Sequence, residues 1–297
     1  MKKSYTFIAL FLCMFVSDNR IQSVYPYFQN KLNELYSDSE IRHLTNLALE
    51  KVTGLNRTEL LLAKDQTVSE SDLLKLRSIV KELLQKKPIE YILGETEFSG
   101  MLFKVSPAVL IPRPETEELI RLIEKEVRDP QTILDIGTGS GCIPIALKSH
   151  FTKAEVYGMD VSDKALNIAR ENAENLKVDV QFIQEDILQP QGAYKSFDLI
   201  VSNPPYVLES DKREMEANVL DFEPHLALFV PDEDPLLFYR EILKFSEKNL
   251  KKGGSLYFEI HEKYANPIKQ LFLDAGYVSV EIHQDFYGKD RIVKGIK

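Results

Sequence analysis

The chain has 297 residues, 44% of them hydrophobic, which is enough for two domains with ordinary cores. Its net charge of −9 is concentrated beyond residue 110, where 23 Lys and Arg face 33 Asp and Glu; phosphate binding needs a basic surface, so this balance argues against a nucleic-acid substrate. Two cysteines, Cys13 and Cys142, provide no disulfide framework, and His43, His150, His225, His261 and His283 are scattered without ligand spacing, so no metal centre is expected.

In chain order, Lys2-Lys3 and the apolar stretch Thr6 to Val16 have the look of a signal peptide, too short to span a bilayer and followed by no good cleavage site. We expect translation to start at Met14, with residues 1–19 an extension outside the folded domains. From about Arg20 to Gly94 the pattern is helical. Ser37-Asp38-Ser39-Glu40 has capping-box spacing, and Ile41, Leu44, Leu47 and Ala48 line one face of the helix that follows, before Gly54 stops it. Ser69-Glu70-Ser71-Asp72 opens a second helix with the stripe Leu73, Leu76, Val80 and Leu83, a core face. Glu95 to Val105, with Ser99-Gly100 at its centre, reads as a β-hairpin linking the helical domain (20–94) through a linker (95–114) to a larger domain (115–297).

Beyond Gln131 strands near 132–136, 155–160, 179–184, 197–202, 254–260, 277–283 and 290–296 alternate with helical stretches. Such alternation predicts an α/β fold, a mostly parallel seven-stranded sheet with helices on both faces. The last two strands follow one another closely, which predicts an antiparallel hairpin at one edge.

Three features of this domain carry chemistry. The first strand runs into Gly137-Thr138-Gly139-Ser140-Gly141 and then an apolar helix, the architecture of a nucleotide-type site. The spacing is Gly-x-Gly-x-Gly; in the dinucleotide fingerprint the third glycine comes one residue later. The second strand ends in Asp160, placed to accept both hydroxyls of a ribose. The fourth ends in Asn203-Pro204-Pro205-Tyr206. A planar NH2 group conjugated to a carbonyl or ring is a poor nucleophile, so an enzyme that methylates it must hold it in one orientation. The Asn203 side-chain oxygen and the Pro204 carbonyl can each accept one of its N–H groups, proline stiffens the loop, and Tyr206 offers a flat face. Asn-Pro is also ordinary turn chemistry, and glycines also serve ordinary turns; it is the order of all three features, each after an apolar strand, that points to a site.

In these residues the chain resembles the class I S-adenosylmethionine-dependent methyltransferases, with their Rossmann-like sheet. Lys87 to Gly94, Phe98 to Val105, Val109 to Glu117, Phe222-Glu223-Pro224 and Gly288 to Val293 narrow the resemblance to the release factor glutamine methyltransferases. It implies S-adenosyl-L-methionine as cofactor, held by Gly137, Thr138, Gly139, Ser140, Gly141, Asp160, Asp186, Ile187 and Asn203, with Asp186 reaching the adenine amino group and Ile187 standing where relatives often carry an aromatic. It implies as substrate the glutamine of the Gly-Gly-Gln loop of class-1 peptide chain release factors, held by Asn203, Pro204, Pro205 and Tyr206, with the helical domain recognising the protein substrate. Catalysis would rest on Asn203, Pro204 and Tyr206. Arg113 and Glu117 would shape the pocket wall or form an interdomain salt bridge. The enzyme is expected in the cytoplasm, with no membrane and no direct nucleic-acid partner. A nucleic-acid amino-methyltransferase acting on adenine, cytosine or guanine meets the same chemical difficulty and is the alternative; it predicts a basic groove. The acids between Glu214 and Asp234 could instead attract a basic protein or merely solubilise the surface.

Overall fold

The computed structural model describes residues 18–213 and 215–297; the signal-like stretch and Met14 lie outside the described residues. The chain divides into two compact units at Leu93/Gly94.

The first unit is helical: α1 (Ile21–Leu32), α2 (Asp38–Thr53), α3 (Arg57–Leu62), α4 (Glu70–Leu83) and α5 (Ile89–Leu93). The capping box predicted for α2 is present, with Ser37 and Glu40 each closing on the other's backbone N–H. Ser69 caps α4 in turn. A similar box, Asn56 with Glu59, starts α3. Each long helix buries one stripe: Ile21, Val24, Phe28 and Leu32 from α1, Ile41, Leu44, Ala48 and Leu49 from α2, and Leu73, Leu76, Ile79, Val80 and Leu83 from α4. Together they form a core made wholly of this unit's residues.

The second unit opens with the hairpin β1 (Glu95–Phe98) and β2 (Met101–Lys104), whose turn residues Ser99 and Gly100 both have positive φ. Its two inward rings, Phe98 and Phe103, meet edge to face at 5.9 Å inside the second unit's core, so the segment expected as a linker belongs to this unit. There follow α6 (Pro114–Glu126), β3 (Thr132–Ile136), α7 (Cys142–His150), β4 (Glu155–Asp160), α8 (Asp163–Leu176), β5 (Gln181–Gln184), β6 (Phe197–Ser202), the short pair β7 (Val207–Leu208) and β8 (Phe229–Val230) around α9 (Ala217–Phe222), then α10 (Leu237–Asn249), β9 (Leu250–Glu259), α11 (Ala265–Asp274), β10 (Val278–Gln284) and β11 (Asp290–Ile296).

Seven strands make one sheet in the order β10-β11-β9-β6-β3-β4-β5. The five from β9 to β5 are parallel to one another, and β11 runs antiparallel to both β9 and β10, the edge hairpin that the spacing predicted. The sheet has buried layers on both faces. Two details differ from the sequence pattern. β5 starts at Gln181 rather than 179 because the Val178 N–H still bonds back to Ala173 in the preceding helix. β9 begins four residues early, since Leu250 pairs with Phe197 across an irregularity that the Gly253-Gly254 pair allows. The pairing of β7 with β8 spans only two residues and leaves no periodic signal. Among the described residues no helix is long and apolar enough to cross a membrane.

Candidate active site

Strand order places the site. From β3 the chain steps outward through β4 to the edge strand β5, then returns to lay β6 on the other side of β3. Between β3 and β6 the connections diverge, and a crevice opens beyond their carboxyl ends. Ile136 pairs with Ser202 across the two strands, and the Ser202 hydroxyl donates to the Ile136 carbonyl at 2.6 Å. Gly137 and Asn203 therefore leave the sheet side by side.

A cavity of about 230 Å³ lies there. Gly137 and Gly139 line it from the first turn, Asp160 from the end of β4, Asp186 and Ile187 from the loop after β5, and Asn203, Pro204 and Pro205 from the loop after β6; Leu110, Leu226 and Phe238 add apolar wall. Residues far apart in the chain and singled out from the sequence thus share one cavity. Thr138, Ser140, Gly141 and Tyr206 do not line it. Thr138 and Ser140 are buried, and the Tyr206 ring packs at the edge of the core, 6.0 Å from His261. Burial there pushes the Tyr206 phenol far above its ordinary range, so it stays neutral.

The glycines differ in what they permit. At Gly139, φ is +54° and a Cβ would project into open space, so the backbone itself can be approached closely. At Gly141, φ is +79° and a Cβ would meet Ala169 at 3.0 Å, so this glycine serves the packing of α7 against α8.

Asp160 has a second task besides facing the cavity. Its Oδ2 accepts the Gly139 N–H at 2.8 Å and its Oδ1 the Ser162 N–H at 2.9 Å, which ties the end of β4 to the glycine turn. Burial raises its pKa, and those N–H groups pull in the opposite direction. Asp186 Oδ1 accepts the Leu188 N–H at 2.9 Å, shaping the loop that carries Ile187.

Sequence reasoning passed over four residues here. Asp135, two positions before Gly137, is fully buried, and neither carboxylate oxygen has a hydrogen-bond partner among the described residues. Burial pushes its pKa up to about 7, and the charge on Asp160 pushes the same way. An acid in an otherwise apolar strand directly before the glycine turn was the available signal. Asn172 in α8 is also buried; its Oδ1 accepts the Lys104 N–H at 2.7 Å, and its Nδ2 donates to the carbonyls of Lys104 and Ser140 at 3.0 and 2.9 Å, joining hairpin to glycine turn. Thr116 and Glu259 are buried behind Asn203: its Nδ2 donates to Thr116 Oγ1 at 3.3 Å, and Thr116 Oγ1 donates to Glu259 Oε2 at 2.6 Å. None of these last three stands out in an amphipathic pattern.

Arg113 and Glu117 find partners within the second unit. Arg113 pairs with the buried Glu223 at 2.6 Å, joining the segment before α6 to the one after α9. Glu117 accepts the Ser99 N–H at 2.9 Å and pairs with Arg121, supporting the hairpin turn. Neither lines the cavity. Away from it, Glu126 and Glu281 both face Lys294 Nζ, at 2.6 and 3.3 Å, so an ammonium already supplies the cation beside His283.

Comparison with known proteins identifies the family. Residues 114–221 match the family model described as methyltransferase small domain, and residues 25–94 match the PrmC N-terminal domain. The chain is 45% identical over 276 residues to the release factor glutamine methyltransferase of Bacteroides thetaiotaomicron, covering 93% of this chain and 98% of that one. It is 43% identical over 272 residues to the enzyme of the same name from Flavobacterium psychrophilum, covering 90% and 95%. Among solved structures, a methyltransferase from Pyrococcus furiosus superposes with a TM-score of 0.51 at 20% identity, over 73% of this chain and 96% of that one, a likeness of fold.

Proposed function

Because the chain belongs to the release factor glutamine methyltransferase family, we propose that it methylates N5 of the glutamine side chain in the Gly-Gly-Gln loop of class-1 peptide chain release factors, using S-adenosyl-L-methionine. The observation that carries the residue-level reading is the pairing of Ile136 with Ser202, which brings the glycine turn and Asn203-Pro204-Pro205 onto the walls of one cavity.

The residues present fit this cofactor. It bears a sulfonium and an ammonium, and the buried Asp135 carboxyl, two residues before Gly137, would ionise more readily with such positive charge nearby. The open space at Gly139 would admit the amino-acid end, Asp160 retains lone pairs that would serve the ribose hydroxyls after its two backbone bonds, and Asp186 with Ile187, which line the cavity, would hold the adenine. When bound, the cofactor supplies a methyl group already activated by its own leaving group, so the reaction needs neither a metal nor a covalent nucleophile.

What remains for the chain is positioning. Asn203 Oδ1 and the Pro204 carbonyl accept the two N–H groups of the substrate amide, which turns the nitrogen's out-of-plane face toward the methyl carbon. Tyr206, just beyond the lined wall, is assigned to the plane of the amide. The nitrogen becomes strongly acidic once methylated, so water can take its proton and no strong general base is required. The helical unit, residues 20–94, is assigned to docking the protein substrate; residues 25–94 of it match the PrmC N-terminal domain. We read nucleic acid as no direct partner, from the acidic balance beyond residue 110, and the enzyme as cytoplasmic, because translation termination takes place there.

The test is incubation of the purified protein with methyl-labelled S-adenosyl-L-methionine and a purified class-1 release factor, followed by peptide mass spectrometry. One methyl group on the Gly-Gly-Gln glutamine is expected. Label entering only nucleic acid when a whole-cell extract is offered would overturn the assignment.

A further inference from the structure

Behind the cavity wall Asn203, Thr116 and Glu259 form a chain of hydrogen bonds running from the loop after β6, through the first turn of α6, to the last residue of β9. Thr116 and Glu259 are 3% and 1% exposed, so water does not compete for these bonds. We propose that Thr116 and Glu259 are positioning residues that set which end of the Asn203 side-chain amide faces the substrate.

Hydrogen-bond direction decides which end faces Thr116. An amide NH2 can only donate, and a hydroxyl has one proton. With Asn203 Nδ2 donating to Thr116 Oγ1, the hydroxyl proton is free for Glu259 Oε2, and every group in the chain is satisfied. With the amide reversed, Asn203 Oδ1 would need that same proton, and Glu259 Oε2 would face an oxygen lone pair at 2.6 Å. Burial pushes the pKa of the Glu259 carboxyl up to about 7; in its ionised form it only accepts, and so selects the rotamer in which Oδ1 points away from Thr116, where among the described residues no hydrogen bond uses it. An Asn203 turned the other way would present a donor to the N–H groups of the glutamine and repel them.

The inference rests on the reading that Asn203 orients the substrate amide, and a double-mutant cycle separates the two. Initial rates of methyl transfer to intact release factor are measured for wild type, Thr116→Val, Asn203→Ala and the double variant, with cofactor affinity followed by calorimetry. Thr116→Val is expected to lower kcat by about 10- to 100-fold, the scale of a misoriented reacting group, with KM and cofactor affinity little changed. Thr116→Ser should restore the rate, whereas Glu259→Gln, whose amide can donate as well as accept and so no longer fixes the direction of the hydroxyl, should lower it. In the Asn203→Ala background Thr116→Val should make no further difference, since it acts only through Asn203. Should Thr116→Val fail to fold, Thr116→Ala removes the same hydroxyl at a helix start that tolerates alanine. Full activity in Asn203→Ala would sink the underlying reading. A slow Asn203→Ala beside a fully active Thr116→Val, or additive losses in the double variant, would overturn the relay alone.

Discussion

At the scale of single residues the proposed function assigns some groups to the reacting amide and others to the cofactor. Asn203→Ala removes one acceptor while the glycine turn stays intact, so turnover should fall on the order of 10²–10³-fold, as for loss of one well-placed hydrogen bond in a closed site. Cofactor affinity should change far less; the two are separated by rate measurement and calorimetry. Asp160→Ala should show the opposite split, because it removes the ribose acceptor and also frees the Gly139 N–H. Asp135 yields a pH signature. Its carboxyl is protonated up to about pH 7 in the folded protein and up to about 3.8 when unfolded. Between those values the folded state binds the extra proton, so this group's contribution to stability is full below the lower pKa and is lost as pH rises through the upper one. The ligand-free protein should therefore show a decline in Tm across that window that is steeper than in Asp135→Asn. Parallel profiles for the two proteins would remove Asp135 as the source.

Elements acquire functions that no single residue implies. The hairpin β1–β2 is the clearest example: α8 holds it through Asn172, and the same side chain grips the Ser140 carbonyl of the glycine turn. Hairpin, helix and cofactor loop are coupled through one buried amide. Asn172→Ala leaves the part-buried Lys104 N–H and carbonyl and the buried Ser140 carbonyl short of partners, which should lower stability by about 1–3 kcal/mol, measurable by denaturant unfolding. It should also weaken cofactor binding although Asn172 does not line the cavity. A loss of stability with unchanged cofactor affinity would show that the glycine turn holds its shape without that contact. The Arg113–Glu223 pair ties two further segments in the same way, since Leu110 and Pro224 beside those residues line the cavity.

At the scale of the whole molecule the two units keep separate cores: no residue of the helical core belongs to either core of the sheet unit. A chain truncated to residues 94–297 is therefore expected to fold, as judged by circular dichroism, and to bind S-adenosyl-L-methionine. Its activity on intact release factor should fall steeply, because remote contacts supply binding energy that orients the reacting group. A short Gly-Gly-Gln peptide should be a poor substrate for the full chain and little worse for the truncated one. A folded truncated chain that methylates intact release factor at the full-length rate would show that the helical unit does not recognise substrate.

Local chemistry makes much of this fold legible in the amino-acid sequence. Ser37 with Glu40 starts a helix because both orphan N–H groups are satisfied within four residues; the period-two and period-3.6 patterns follow from which faces must be buried; and Gly137, Gly139 and Asp160 announce a nucleotide-type crevice because such a turn must follow a parallel strand. The buried polar contacts are not legible there. Thr116 meets Glu259 across 143 positions and Asn172 meets Lys104 across 68, and a hydrogen bond over such separations leaves no periodicity in the chain. Arg113 and Glu117 show the same limit, since their charges suggest a pocket wall or a bridge between domains, whereas in the folded chain they meet Glu223 and the hairpin turn. Patterning alone determined that there would be a parallel sheet with a site at its carboxyl edge; only the packing of α6, α8 and β9 around that edge decided which buried side chains hold the site in shape.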